Sequence, residues 1–186
     1  MRDNMTVAGK IEETVEIPAG IKAGLQGHVI TISSKDSKQS RRLWHPRVKL
    51  AVSGSHITVS CELPNRREKA LVGTFSAHIR NMIVGVTQGF RCEMKMVYSH
   101  FPMKLAVKDR EFVIENFLGE KFPRRARIMG ETQVEVKGDQ VILTGHSIEE
   151  VGQSAANIER ATKIKNFDPR VFQDGVYIVL KPGEVP

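Results

Sequence analysis

Eight cations fall in two short runs in the second half of the chain. Lys121-Phe122-Pro123-Arg124-Arg125-Ala126-Arg127 places four of them in seven residues, and Arg160, Lys163, Lys165 and Arg170 supply the rest. The chemistry open to such a set is anion binding. Lysine offers a point charge, and arginine a planar fork that grips phosphate oxygens in pairs. Asn166 and Asp168-Pro169 break the second run, so its cations stand on irregular backbone, which suits phosphate contacts, and Pro169 is expected to stiffen it. A cation in the last turn of a helix also answers the helix dipole. That accounts for part of the second run, but not for the cations beyond the turn. Phe172 and Tyr177 alternate with polar residues and are expected to anchor the segment to its own domain while the cations face out.

The whole chain carries 28 Lys+Arg against 21 Asp+Glu, a net charge of +7. A pI near 9.6 is a footprint for a polyanion, most often nucleic acid. Residues 1–90 hold 13 cations and 7 acids, and residues 91–186 hold 15 and 14. Bulk charge therefore favours the first half, where Lys35, Lys38, Arg41, Arg42, Arg47 and Lys49 crowd one hairpin and Arg66, Arg67 and Lys69 open a helix. Clustering favours the second half. Clustering decides for a specific site, because a bound phosphate feels the local field within a Debye length of ~10 Å. The sites expected to bind RNA are thus Lys121, Arg124, Arg125, Arg127, Arg160, Lys163, Lys165 and Arg170.

Other chemistries find no support. The six histidines are scattered, and neither they nor Cys61 and Cys92 fall at metal-ligand spacing. His78 stands opposite Asn157 in a repeated helix, which suits a surface or structural role. Pro18-Ala19-Gly20 with Gly24 and Gly27 lacks the Lys-Ser/Thr of a phosphate loop, and Ser76 and Ser154 have no base beside them. The chain is therefore expected to be no enzyme, with no cofactor, metal or small-molecule substrate. Nothing in it marks export or a membrane span, which points to a cytosolic protein. Aromatic residues make up only 6%, so structured RNA read by shape and phosphate suits it better than stacked single strands.

The elements that must carry these cations come in two copies. Val72-Gly73-Thr74-Phe75-Ser76-Ala77-His78-Ile79 recurs 79 residues later as Val151-Gly152-Gln153-Ser154-Ala155-Ala156-Asn157-Ile158. Upstream, Val52-Ser53-Gly54-Ser55-His56-Ile57 matches Val136-Lys137-Gly138-Asp139-Gln140-Val141 at an offset of 84, so the first copy has five extra residues between the blocks. Val72, Phe75, Ile79, Met82 and Val86 make one helical face, and Ile148, Val151, Ala155, Ile158 and Thr162 the other. Asn65 with Glu68, and Ser147 with Glu150, read as capping boxes. Short alternating stretches precede each helix, among them Thr14 to Pro18, His28 to Ile32, Arg41 to Trp44, Val48 to Val52 and His56 to Glu62. Residues 1–13 read as a loose lead-in and Ser33 to Ser40 as a loop. The second copy alternates at Arg91 to Tyr98, Met103 to Val107, Phe112 to Glu115, Lys121 to Ile128, Gln133 to Val136 and Gln140 to Leu143. Strands in a run, then one helix, twice: the fold class is α+β, with two tandem related domains, each an antiparallel sheet with one packed helix, by internal duplication. The domains are expected at 1–86 and 87–186, joined by a stiff, strand-like stretch from Gly85 to Tyr98.

Four segments together resemble a known family. They are the run from Thr74 to Phe90; Val97-Tyr98-Ser99-His100-Phe101-Pro102; Asn116-Phe117-Leu118-Gly119-Glu120-Lys121 with Arg124 and Arg125; and Arg170-Val171-Phe172-Gln173-Asp174-Gly175-Val176-Tyr177-Ile178. The chain is similar to the universal large-subunit ribosomal protein L-six family, L-nine in eukaryotic naming, in its archaeal and eukaryotic branch. Phe167 departs from a usual basic residue, and Arg160 from a frequent Gln. The resemblance implies two similar α+β domains in a structural constituent of the large subunit of the cytoplasmic ribosome. Its second domain would bind rRNA of the 23S type near the sarcin–ricin region and the base of the factor-binding stalk. Neighbouring ribosomal proteins would be partners, and translation factors would pass nearby. The residues alone leave open a free RNA-binding or RNA-chaperone factor with two such modules, and a small RNA-processing enzyme would need a nucleophile or metal site that they do not provide.

Overall fold

The computed structural model describes residues 5–7, 9–35, 37–98, 101–168 and 170–183. Ser99, His100 and Pro169 lie outside them. The chain divides into two units, Met1–Gln88 and Gly89–Pro186.

In the first unit, strands β1 (Met5–Val7), β2 (Lys10–Glu16), β3 (Lys22–Gln26), β4 (Val29–Ser33), β5 (Lys38–Arg42), β6 (Val48–Ser53) and β7 (His56–Glu62) precede helix α1 (Arg66–Thr87). In the second, β8 (Phe90–Val97), β9 (Lys104–Lys108), β10 (Glu111–Glu115), β11 (Arg124–Arg127), β12 (Gln133–Lys137) and β13 (Gln140–Gly145) precede α2 (Ile148–Ala161), and β14 (Gly175–Leu180) follows it. The sheets run β1-β2-β7-β6 with β3-β4-β5, and β14-β8-β13-β12 with β9-β10-β11, every pairing antiparallel. The duplication therefore extends to six strands and a helix in the same order. The strand beside β2 or β8 has a different origin in each copy: β1 opens its unit, whereas β14 closes its own.

The repeated residues hold equivalent places. Val72 and Val151, Ser76 and Ala155, and Ile79 and Ile158 are all fully buried between helix and sheet. Gly54 and Gly138 both open two-residue hairpin turns at positive φ, +51° and +59°, where a side chain would be strained. The five extra residues of the first copy are also placed. Asn65 caps α1 seven residues before Val72, while Ser147 caps α2 four before Val151, so three of the five lengthen the helix by nearly a turn.

The cap at Asn65 is a full capping box, and Glu68, buried at 5%, also pairs with Arg47 at 3.1 Å. The box expected at Ser147 is only half formed. Its hydroxyl accepts the Glu150 N–H at 3.4 Å. The Glu150 carboxylate instead accepts the Glu131 N–H at 3.3 Å and fills the space a Cβ on Gly130 would occupy.

Other expectations are corrected. Of the lead-in, residues 1–4 and 8 lie outside the described residues, and Lys10 to Glu13 are not loose, because they pair with β7. Ser33 to Ser40 is not all loop, since Lys38 to Ser40 begin β5. β3 and β14 were not expected. β5 reads Lys-Gln-Ser-Arg-Arg, without a branched or aromatic residue, and it is the ladder to β4 that makes it a strand. The outward side of β3-β4-β5 has Lys22, Ser33 and Lys38 in one row and Gln26, Val29 and Arg42 in another, with Gly24, Thr31 and Ser40 between. Cys61 and Cys92 are buried free thiols, and burial pushes the Cys92 thiol up to about 11.

Ile79→Ala and Ile158→Ala each remove a fully buried side chain under a helix. Each is expected to cost ~2–5 kcal/mol, read as a lowered urea midpoint.

Candidate nucleic-acid interface

A tight turn prepares the site. After β10, Asn116 (φ 58°), Leu118 (φ 48°) and Gly119 (φ 76°) take left-handed backbone around the single 3-10 turn Phe117–Gly119. The Asn116 side-chain amide donates to the Pro102 carbonyl at 3.0 Å and holds the turn in place. Its product is twofold: Phe117 enters the core at 1% exposure, and Glu120 emerges beside β11.

On β11 the side chains alternate. Ala126 faces the core, Arg125 and Arg127 face solvent, and Arg124 shares Ala126's side. The Arg124 guanidinium lies 4.1 Å from the Phe117 ring centroid. Its Nε and Nη2 donate to the two Glu120 oxygens at 2.8 and 2.6 Å, and its Nη1 to the carbonyls of Ala161 and Lys163 at 2.9 and 3.1 Å. The first is the carbonyl of the last residue of α2, which has no partner within the helix, and the second lies two residues past the helix end. Four of the five N–H donors an arginine possesses are thereby engaged. The hydrogen bond from Arg124 holds the Glu120 carboxyl below the usual carboxylate range.

The segment leaving α2 is gripped a second time. The buried Thr162 hydroxyl accepts the N–H of Val176, the second residue of β14, at 3.1 Å. The segment from Lys163 to Asp174 thus runs between two fixed points, and Phe167 packs against Phe172 with ring centroids 4.8 Å apart and planes tilted by 49°. The anchoring expected of Phe172 and Tyr177 takes a different form here. Phe172 is half-buried against Phe167, while Tyr177 is 42% exposed and donates its hydroxyl proton to the Gln173 carbonyl.

Between β11 and the end of α2 lies an open groove of ≈ 430 Å³, lined by Arg124, Arg125, Arg160, Ala161, Lys163 and Lys165. Five of the eight cations singled out in the sequence meet there. Arg125, Arg160, Lys163 and Lys165 are exposed. Among the described residues, only Arg125 of these four has a carboxylate partner, Glu111 at 3.4 Å. That pair is exposed on both sides and is easily given up. Lys121, Arg127 and Arg170 are exposed but do not line the groove; the Arg170 N–H donates to Asp168 at 2.9 Å. Such an arrangement can hold phosphates on four exposed heads around one half-buried, braced arginine.

Sequence reasoning missed Phe117, Glu120 and Thr162 as supports. The Glu120 to Arg124 spacing was visible, but nothing in it says that the guanidinium also reaches two carbonyls at and just past the end of α2. Among the described residues, no three His, Cys, Asp or Glu side chains gather to hold a metal ion, and no helix is long and apolar enough to cross a membrane.

The family model described as ribosomal protein L6 matches this chain twice, at residues 17–89 and 101–175, once in each copy. The chain is 48% identical over 172 residues to the large ribosomal subunit protein uL6 of Methanosarcina mazei, covering 92% of this chain and 98% of that protein. It is 45% identical to the uL6 of Methanobrevibacter smithii, covering 95% and 99%, and 48% identical to that of Thermoplasma volcanium, covering 90% and 94%.

Arg124→Ala removes the brace and is expected to cost on the order of 2 kcal/mol, with Arg124→Lys recovering little because an ammonium cannot span both partners. Because the folded Glu120 carboxyl lies below its ordinary value, its contribution is fully present above that ordinary value and is lost as pH falls from there through the lower folded value. Urea midpoints measured against pH are expected to show this loss in the unaltered protein and to lack it in Glu120→Gln.

Proposed function

This chain belongs to the ribosomal protein L6 family, and on that premise we propose that it is a structural constituent of the large ribosomal subunit, in the cytoplasm, with no catalytic role. Its second unit makes the main contact with large-subunit rRNA, near the sarcin–ricin region and the base of the factor-binding stalk. Other ribosomal proteins are its neighbours, and translation factors land close by.

The observation that carries this reading is the groove. Four exposed cations converge on it, with a single weakly held carboxylate among them. rRNA is a dense polyanion, and each cation set against a phosphate releases a counterion. Anchors at Arg124 and Thr162 fix the backbone on which Lys163 and Lys165 stand, so little ordering entropy is lost on binding. Arg124 then positions, and the other four make the contact. Lys121, Arg127 and Arg170 extend the same charge outward.

In native lysate the protein is expected to sediment with the large subunit and to stay there through a high-salt wash; a free RNA-chaperone factor would be released. Replacing Arg125, Arg160, Lys163 and Lys165 together by Ala is expected to weaken binding to an rRNA fragment and to flatten its salt slope by up to about three to four units. An unchanged slope would move the main contact to the first unit.

A further inference from the structure

The first unit carries a second surface with the chemistry of a nucleic-acid site. On the outward side of β3-β4-β5, Lys22 and Lys38 flank Ser33 in one row, and Arg42 lies four residues further along the sheet. At ~3.3 Å per residue that is roughly 13 Å away. Every position of the three rows is cationic, polar, glycine or Val29, and none is acidic. Lys22, Lys38 and Arg42 are exposed.

Beyond Arg42 the pairing continues one step, with the Leu43 N–H donating to the His28 carbonyl at 2.9 Å. Leu43 turns inward and is buried, and Trp44, two residues beyond Arg42, is exposed. Its ring is 54% exposed and meets His28 edge-on, with centroids 6.1 Å apart and planes at 65°. A T-shaped contact with one neighbour covers at most one face of the indole. Tryptophan is a costly residue to leave in water, since its ring is the largest apolar body among side chains. A stacking partner would recover that cost.

We propose that this face binds single-stranded RNA, with a base stacked on Trp44 and phosphates on Lys22, Lys38 and Arg42. An acidic peptide would answer the cations but has no use for an open indole face. Stacking plus a backbone-tracking row of cations is the combination that single strands require. The inference rests on the reading above only for the class of ligand. The groove in the second unit takes structured RNA by charge, whereas this face takes an unpaired strand by charge and stacking.

The chain contains one tryptophan, so its fluorescence reports on this face alone. Titrating the full-length protein with a short oligouridylate at low salt is expected to quench that emission. The Lys22→Ala, Lys38→Ala, Arg42→Ala variant is expected to weaken the quench at least about tenfold and to flatten its salt slope by about two units. The Arg160→Ala, Lys163→Ala, Lys165→Ala variant is expected to leave the quench unchanged while losing affinity for an rRNA fragment. Absence of quenching, or a quench that survives the first variant, overturns the proposal. So does an oligoglutamate peptide that perturbs Trp44 where the oligouridylate does not, which would assign the face to an acidic protein segment. Retention of rRNA-fragment binding by the second variant would instead count against the groove, and leaves the Trp44 result standing.

Discussion

Val151, Ala155 and Ile158 present one stripe of α2 to the sheet, and all three are fully buried. Burying that stripe fixes the helix in rotation and in depth. It follows that the helix must end where it does, beside β11, with its last carbonyl turned toward Arg124. The groove is thus a by-product of core packing. The charges that line it were free to vary, but the cleft between strand and helix end was not. Ser154 tightens the same contact, accepting the Met129 N–H at 2.8 Å and donating to Glu150 at 2.7 Å. In the first copy Ser76 plays a related part by donating to the Glu13 carboxylate, which Arg80 also reaches at 3.2 Å.

The two copies show how one scaffold diverges. Both put a basic strand at the free edge of the three-stranded sheet, Lys38 to Arg42 in β5 and Arg124 to Arg127 in β11. In β11 the first arginine turns inward and braces a helix end, while its neighbours supply charge. In β5 the exposed cations are Lys38 and Arg42, on the face away from the core. Both strands present exposed cations to solvent, and what β11 adds is an inward arginine that braces the end of a helix.

Periodicity and repetition were legible because burial writes them. The stripes from Val72 and Val151, the turns at Gly54 and Gly138, and the cap at Asn65 all follow from local rules and recur in both copies. Strands held by their neighbours were not legible. β3 has only Ala23 and Leu25 turned inward, and β5 has Gln39 and Arg41, so neither shows the alternation that marks a strand. The groove was legible as charge and illegible as shape. Arg124 and Arg125 are adjacent and chemically identical, and only strand parity and the Phe117–Gly119 turn assign one to the interior and the other to solvent. Glu150 shows the same limit, since a contact with Gly130 some 20 residues away draws it from the cap that local sequence offers it.

The unequal origin of the outer strands bears on how the protein is made. β1 leaves the synthesis machinery before the rest of its sheet, so the first unit has every strand in hand once α1 has emerged. β14 is the last element among the described residues, and its partner β8 is the first of the second unit. Until β14 arrives, β8 is a bare edge, with its backbone N–H and C=O groups open to any passing strand. Translation order therefore makes the first unit self-sufficient early and leaves the second adhesive until its final residues are added. The half of the molecule that carries the groove is the half whose sheet is completed last.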